Sequence, residues 1–271
     1  MKHPAKLDSE KLRSKLKLKH LTTRTTLLAH HPHVAKFLAS SALAGALLLA
    51  PGQSAPTLAA LPPSSISQVS PYDIHNRLVE KLKSFLPDSV QPLSPQQESE
   101  ISNTLHDLYG LHATAELEGN HLNTSYGLIG AEQHLMRFPG DNVPNMAPGK
   151  GAWGYVEDPE KEKYYVAVQT LYLPDWTTRL SYLRDWYKYR KVVVVNPVNG
   201  KLIVAVVADS GPASWTGKHF GGSPEVMAYL RLNVGMQKGP VVLFFVNDPA
   251  DQVPLGPLEY NLENPPLLTS T

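Results

Sequence analysis

Cysteine is absent from the 271-residue chain, and that gap removes several classes at once. It leaves no disulfide framework, no thiolate metal site, no cysteine nucleophile and no cysteine for lipid attachment. The apolar run Phe37 to Ala50 has 14 residues, short of the roughly 20 needed for a comfortable membrane span. There is no Gly-x-Ser-x-Gly nucleophile elbow. Ala147-Pro148-Gly149-Lys150-Gly151 lacks the spacing and the following Ser/Thr of a phosphate loop. The body also lacks basic charge: residues 1–55 hold nine of the 25 Lys/Arg and two of the 24 Asp/Glu, leaving sixteen against twenty-two in the remainder. A nucleic-acid binder shows the opposite, a basic stripe on its folded part, so no nucleic-acid partner is expected.

Histidines give no metal signature either. His30, His31 and His33 precede the apolar run, and His112, Glu116, Glu118 and His121 could meet across a hairpin with nothing to fix a ligand geometry. Neither a metal nor a cofactor is expected.

What is present divides the chain into six parts. A basic segment, residues 1–36, precedes the apolar run 37–50, and a Pro/Ser-rich linker follows over 51–70 with small residues at Gln53-Ser54-Ala55 and Leu58-Ala59-Ala60. This order fits an export signal. Two readings stay open, a cleaved signal or an uncleaved membrane anchor; both place the body in the cell envelope, periplasmic or extracellular. Residues 71–110 read as a helical hairpin. Ser70-Pro71 opens a helix with Ile74, Leu78, Leu82 and Phe85 on one face, and Ser94-Pro95 with Gln97 opens another, with Ile101, Leu105 and Leu108, ending at Gly110.

From Thr114 the period changes to two, and residues 111–250 read as a compact β-barrel, followed by an extended Pro-rich tail over 251–271. Strands are expected at Leu122 to Ser125 and Tyr126 to Ile129 after a Gly119-Asn120 turn, then at Tyr164 to Leu173 and Val241 to Val246. Asp175 is expected to cap a helix with Trp176, Leu180, Leu183 and Tyr187 on its apolar face. Eight aromatics fall within Tyr164 to Tyr189; most are expected in the core, leaving Trp186, Tyr189 and the lone Trp215 as ring candidates for a ligand.

The most informative stretch is Lys191 to Leu232. Val192 to Val195 and Leu202 to Val207 form a hairpin in which Asn199-Gly200 supplies the positive-φ turn pair. Gly211-Pro212 stops the second strand, leaving Asp209 at its end, and Ser223-Pro224-Glu225 opens a helix. A carboxylate beside a glycine can reach a groove. It can equally bond the amides of its own turn.

Val206 to Pro212 and Gly217 to Pro224 resemble the rare lipoprotein A family, in which a strand, an Asp-x-Gly-Pro turn and a Gly-Arg-hydrophobic-Asp-Leu-Ser-Pro helix start follow in that order. The resemblance implies a mainly β fold, a six-stranded double-psi β-barrel, here with added short helices and the N-terminal helical hairpin. It also implies lytic transglycosylase action on peptidoglycan, with Asp209 as acid/base. Tyr126-Gly127, Glu132, His134 and Arg137 follow the family order of Tyr-Gly, Glu, His and Arg, making Glu132 and His134 the helpers. Ser210, Trp215 and His219 would line the groove. Three departures stand out: Ala208 where the family has Asn, Ser210 where it has Arg, and Gly221 where it has a second Asp. The missing cysteine departs from its lipoproteins. The alternative, favoured by Gly221, is a non-catalytic barrel of the cell envelope that binds glycan or a protein partner.

Overall fold

The computed structural model describes residues 70–265. The basic segment, the Phe37 to Ala50 run, the linker through residue 69 and the last six tail residues lie outside them. Among the described residues no helix is long and apolar enough to cross a membrane.

Helices α1 (Pro71–Phe85) and α2 (Pro95–Tyr109) start where their caps dictate. The Ser70 hydroxyl accepts from the Asp73 amide, Ser94 and Gln97 complete a reciprocal capping box, and Gly110 ends α2 in the left-handed conformation. Short strands β1 (Ala113–Thr114), β2 (Glu116–Leu117) and β3 (Asn120–His121) lead into β4 (Tyr126–Ala131). Then follow α3 (Pro159–Lys163), β5 (Tyr165–Val168), α4 (Leu180–Tyr187), β6 (Lys191–Val195), β7 (Leu202–Ser210) and β8 (Phe220–Gly222). Helix α5 (Pro224–Tyr229), β9 (Lys238–Val246) and β10 (Gly256–Pro257) complete the order.

Six of these strands close on themselves, β4 pairing with β8, then β5, β7, β6 and β9, which returns to β4. The β4/β8 and β5/β7 pairs are parallel and the other four antiparallel. Exchanging the first three barrel strands for the last three leaves the circuit and every relative direction unchanged. The protein is mainly β, a closed six-stranded mixed barrel with a few short helices.

The uninterrupted valine runs follow from burial on both faces. Val192, Val194, Ile203, Ala205, Val207, Val241, Leu243 and Phe245 fill the barrel. Their alternating neighbours Val193, Val195, Leu202, Val204, Val242 and Phe244 pack under Ile74, Leu78, Leu82, Ile101 and Leu105 of the helical hairpin. Each such side chain contributes about 1.5–3 kcal/mol when fully buried. One side of the barrel is therefore sealed by α1 and α2. The outward side of β4, β5 and β8 is built differently, with Gly130, Ala167 and Gly221.

Several expected elements differ in detail. Only Gly200 of the Asn199-Gly200 pair takes a positive φ, 70°, because a four-residue loop, 197–200, closed by Asn196 and Lys201 replaces the two-residue turn. β5 ends at Val168 and a 3-10 turn, Thr170–Tyr172, follows. Leu122 to Ser125 carries no strand. Helix α4 begins at Leu180 with Arg179 at its N-cap position, while Asp175 instead pairs with Arg179 at 2.5 Å. Its buried face is accordingly Leu183, Trp186 and Tyr187. Trp186 belongs to the core, edge-on to Phe245 at 5.1 Å with its Nε1 donating to Glu118, and is removed from the ligand candidates. The tail folds back, with β10 pairing with β7 and Leu262 N–H donating to Tyr109.

Candidate functional site

A β-bulge creates the site. Val166 of β5 pairs with Val207, yet Ala167 pairs with Asp209, so β7 carries Ala208 as an extra residue. Asp209 thereby becomes the lateral neighbour of Ala167, which neighbours Gly221, which neighbours Gly130, which neighbours Lys238. Val166 and Val168 point into the barrel, so by alternation this row faces outward. It forms a floor of small residues with a carboxylate at one end and a lysine at the other.

Asp209 is held by backbone. Its Oδ1 accepts from Ala152 N–H at 2.8 Å and from Ser210 N–H at 2.9 Å. The first bond comes from a loop that approaches β7 so closely that a side chain at Gly151 would press on the Ala208 carbonyl. Burial pushes the Asp209 carboxyl above its ordinary range against the pull of these two amides. Both amides fall on Oδ1, so a proton on this carboxyl belongs on Oδ2.

Glu132 joins it from just beyond β4, with its N–H donating to Gly222 O at 2.8 Å. Its side chain lies on Gly221, where any β-carbon would fall on its Cγ and carboxyl. Burial raises the Glu132 carboxyl, the Lys218 ammonium opposes that, and the Asp209 charge raises it further. The Glu132 carboxyl therefore senses the Asp209 charge across the glycine floor. Tyr165 stands among the acids, its phenol raised by burial and then by Glu132, Asp209, Glu162 and Glu225, while donating to Gln133 O.

The other expected residues spread around this pair. His134 is engaged elsewhere, with Nδ1 3.0 Å from Glu162 and Nε2 3.8 Å from Glu225, in a cleft of about 500 Å³ that Arg137 and Lys163 also line. Ser210 shares a 2.6 Å hydrogen bond with Thr170. Trp215 is 87% exposed in a 3-10 turn whose Ser214 N–H donates to the Tyr172 hydroxyl. The His219 ring accepts at Nδ1 from Leu128 N–H at 3.0 Å, and burial lowers its pKa, so the neutral ring carries its proton on Nε2. Tyr189, at φ 55°, lines a separate cleft with Lys188 and Lys191. His121 pairs with Glu98, Glu118 with Trp186, and His112 stacks on His106. Among the described residues no three His, Asp or Glu gather around a metal position.

Sequence reasoning missed Lys218, Gly130 and the Ala152 amide. A lysine two residues ahead of the Phe220-Gly221-Gly222 strand was a legible signal; the approach of the 149–154 loop had none. Compared with known proteins, the chain matches no family model and no curated protein.

Proposed function

We propose that the protein is an exported cell-envelope barrel that cleaves peptidoglycan glycan strands as a lytic transglycosylase, with Asp209 as acid/base and Glu132 as its partner. The carrying observation is the pair of partly buried carboxyls, each raised by burial, that face one small-residue floor. Raised carboxyls keep a proton nearer neutrality, which a general acid at a glycosidic oxygen requires.

In the proposed step Asp209 Oδ2 delivers its proton to the bridging oxygen while the C1–O bond breaks. Glu132, whose ionised form the Lys218 ammonium favours, offsets the positive charge growing at C1. The muramic 6-hydroxyl oxygen then bonds to C1, closing an anhydro ring, and its proton returns to Asp209. Water takes no part, and no cofactor is called for. In this reading Trp215, Ser210 and His219 are assigned to the groove, and the exposed indole of Trp215 suits the apolar face of a sugar ring.

Two further features support the reading. The barrel circuit that maps onto itself when its halves are exchanged is the symmetry expected of a double-psi barrel. Gly221, where the rare lipoprotein A family carries its second Asp, lies beneath Glu132, so a carboxyl is supplied there from a neighbouring strand. His134 is left to orient Glu162. Export rests on the basic segment and apolar run of residues 1–50, with the membrane as a partner if that run is retained.

The two amides on Asp209 Oδ1 favour a second reading, in which the carboxylate only fastens the 149–154 loop and the barrel binds glycan or a protein without cleaving. Incubation of the protein with purified sacculi, followed by mass analysis, separates the two. Release of anhydro-muropeptides supports cleavage; retention on intact sacculi supports binding.

A further inference from the structure

The glycine floor also bears a cation beside the acid pair. Lys218 lies along Gly130, where a β-carbon would press on its Cδ, Cε and Nζ, as Glu132 lies along Gly221. Gly130 and Gly221 are register partners on β4 and β8, so the ammonium and the Glu132 carboxyl rest side by side. The backbone around Lys218 is fixed. Its N–H donates to Thr216 Oγ1 at 3.2 Å, its carbonyl accepts from Gln169 at 3.1 Å, and His219 N–H donates to Leu128 O at 2.8 Å.

Lys218 is half-buried, yet among the described residues no carboxylate oxygen lies within 4.0 Å of its ammonium. A second cation stands beside it: Lys238 is the register partner of Gly130 across β9, and register partners share a face.

We propose that Lys218 is a specificity-determining residue of this site, receiving a carboxylate borne by the glycan, such as the lactyl group of a muramic acid residue. The inference rests on the glycan reading above. The ammonium would hold the carboxylate of one sugar and so set the register of the strand against Asp209. Neutral glycans of the same length would lack that anchor.

The test uses the full-length protein and peptide-stripped glycan chains in two forms, one with free lactyl carboxylates and one with those carboxylates amidated. The wild type is expected to bind the carboxylate form about tenfold more tightly, the scale of one charge-assisted contact at a partly exposed site. Lys218→Met should lose that preference while keeping the affinity for amidated chains, and Lys218→Arg should restore it. Unchanged melting of the Met variant excludes misfolding, and loss of amidated-chain binding together with a lowered melting temperature sends the comparison to Lys218→Gln. Equal wild-type binding of both chain forms, or a preference that survives in both uncharged variants, overturns the inference and leaves the glycan reading standing. Binding of neither chain by the wild type overturns both.

Discussion

At Asp209 the local sequence, Ala208-Asp209-Ser210-Gly211, identified the residue but not its surroundings. A carboxylate before glycine was legible; the bulge that turns it onto the Ala167-Gly221-Gly130 floor was not, because a bulge exists only relative to a paired strand. Nor could sequence reveal that its Oδ1 is met by the Ala152 amide, 57 residues away. Its folded-state pKa is raised, so the proton is bound more tightly in the folded chain, and the associated stability is present at acid pH and lost as pH rises through the folded pKa. Asp209→Asn keeps an oxygen for both amides and removes the buried charge. It should therefore raise Tm at pH 7, with the gain fading as pH falls through the folded pKa and gone below about pH 4; a thermal melt series over pH reads this. Gly221 gives a second expectation. Gly221→Asp should lower Tm, because the new side chain collides with Glu132 and brings a like charge, and Glu132→Ala should recover part of the loss. A Gly221→Asp variant as stable as wild type, with no benefit from Glu132→Ala, would mean that Glu132 does not occupy that space.

Among the elements, the helices opened by Ser70, Ser94 and Ser223 were legible to within a residue or two, whereas α3, capped by Asp158, was not foreseen. Ser70, Ser94 with Gln97, and Ser223 each accept from the amide three residues on. Asp175 misled because it resembles a cap yet belongs to a turn, one full turn before α4 begins. The β6–β7 hairpin was read from its valines, but its loop does more than reverse the chain. Gly200 takes φ 70° and lies against the His75 carbonyl of α1, so that any side chain there would strike helix backbone. Gly200→Val should cost more than the roughly 1–2 kcal/mol of a left-handed L-residue, since the clash also lifts α1 from the barrel. Denaturant unfolding measures that loss. Stability within a few tenths of a kcal/mol of wild type would show that α1 does not rest on this turn.

For the whole molecule, the runs Val192 to Val195 and Val241 to Val246 were legible as barrel strands and 71–110 as a helical hairpin, and the structure adds that these strands are buried on both faces. The closing circuit was not legible, because pairing between β4 and β8, or β5 and β7, joins segments of different local character across long separations. Neither was the division of the barrel into two sides. The helical hairpin seals β6, β7 and β9, while glycine and alanine keep the opposite floor bare for Asp209, Glu132 and Lys218.

The central claim is that this bare floor carries acid/base chemistry on a glycan. The rate of anhydro-muropeptide release from purified sacculi, compared between wild type and Asp209→Asn, tests it most directly. Removing the proton donor while keeping its shape should lower the rate by roughly 100-fold or more with the fold intact. Release at an equal rate from the Asn variant, or none from wild type, would contradict the account.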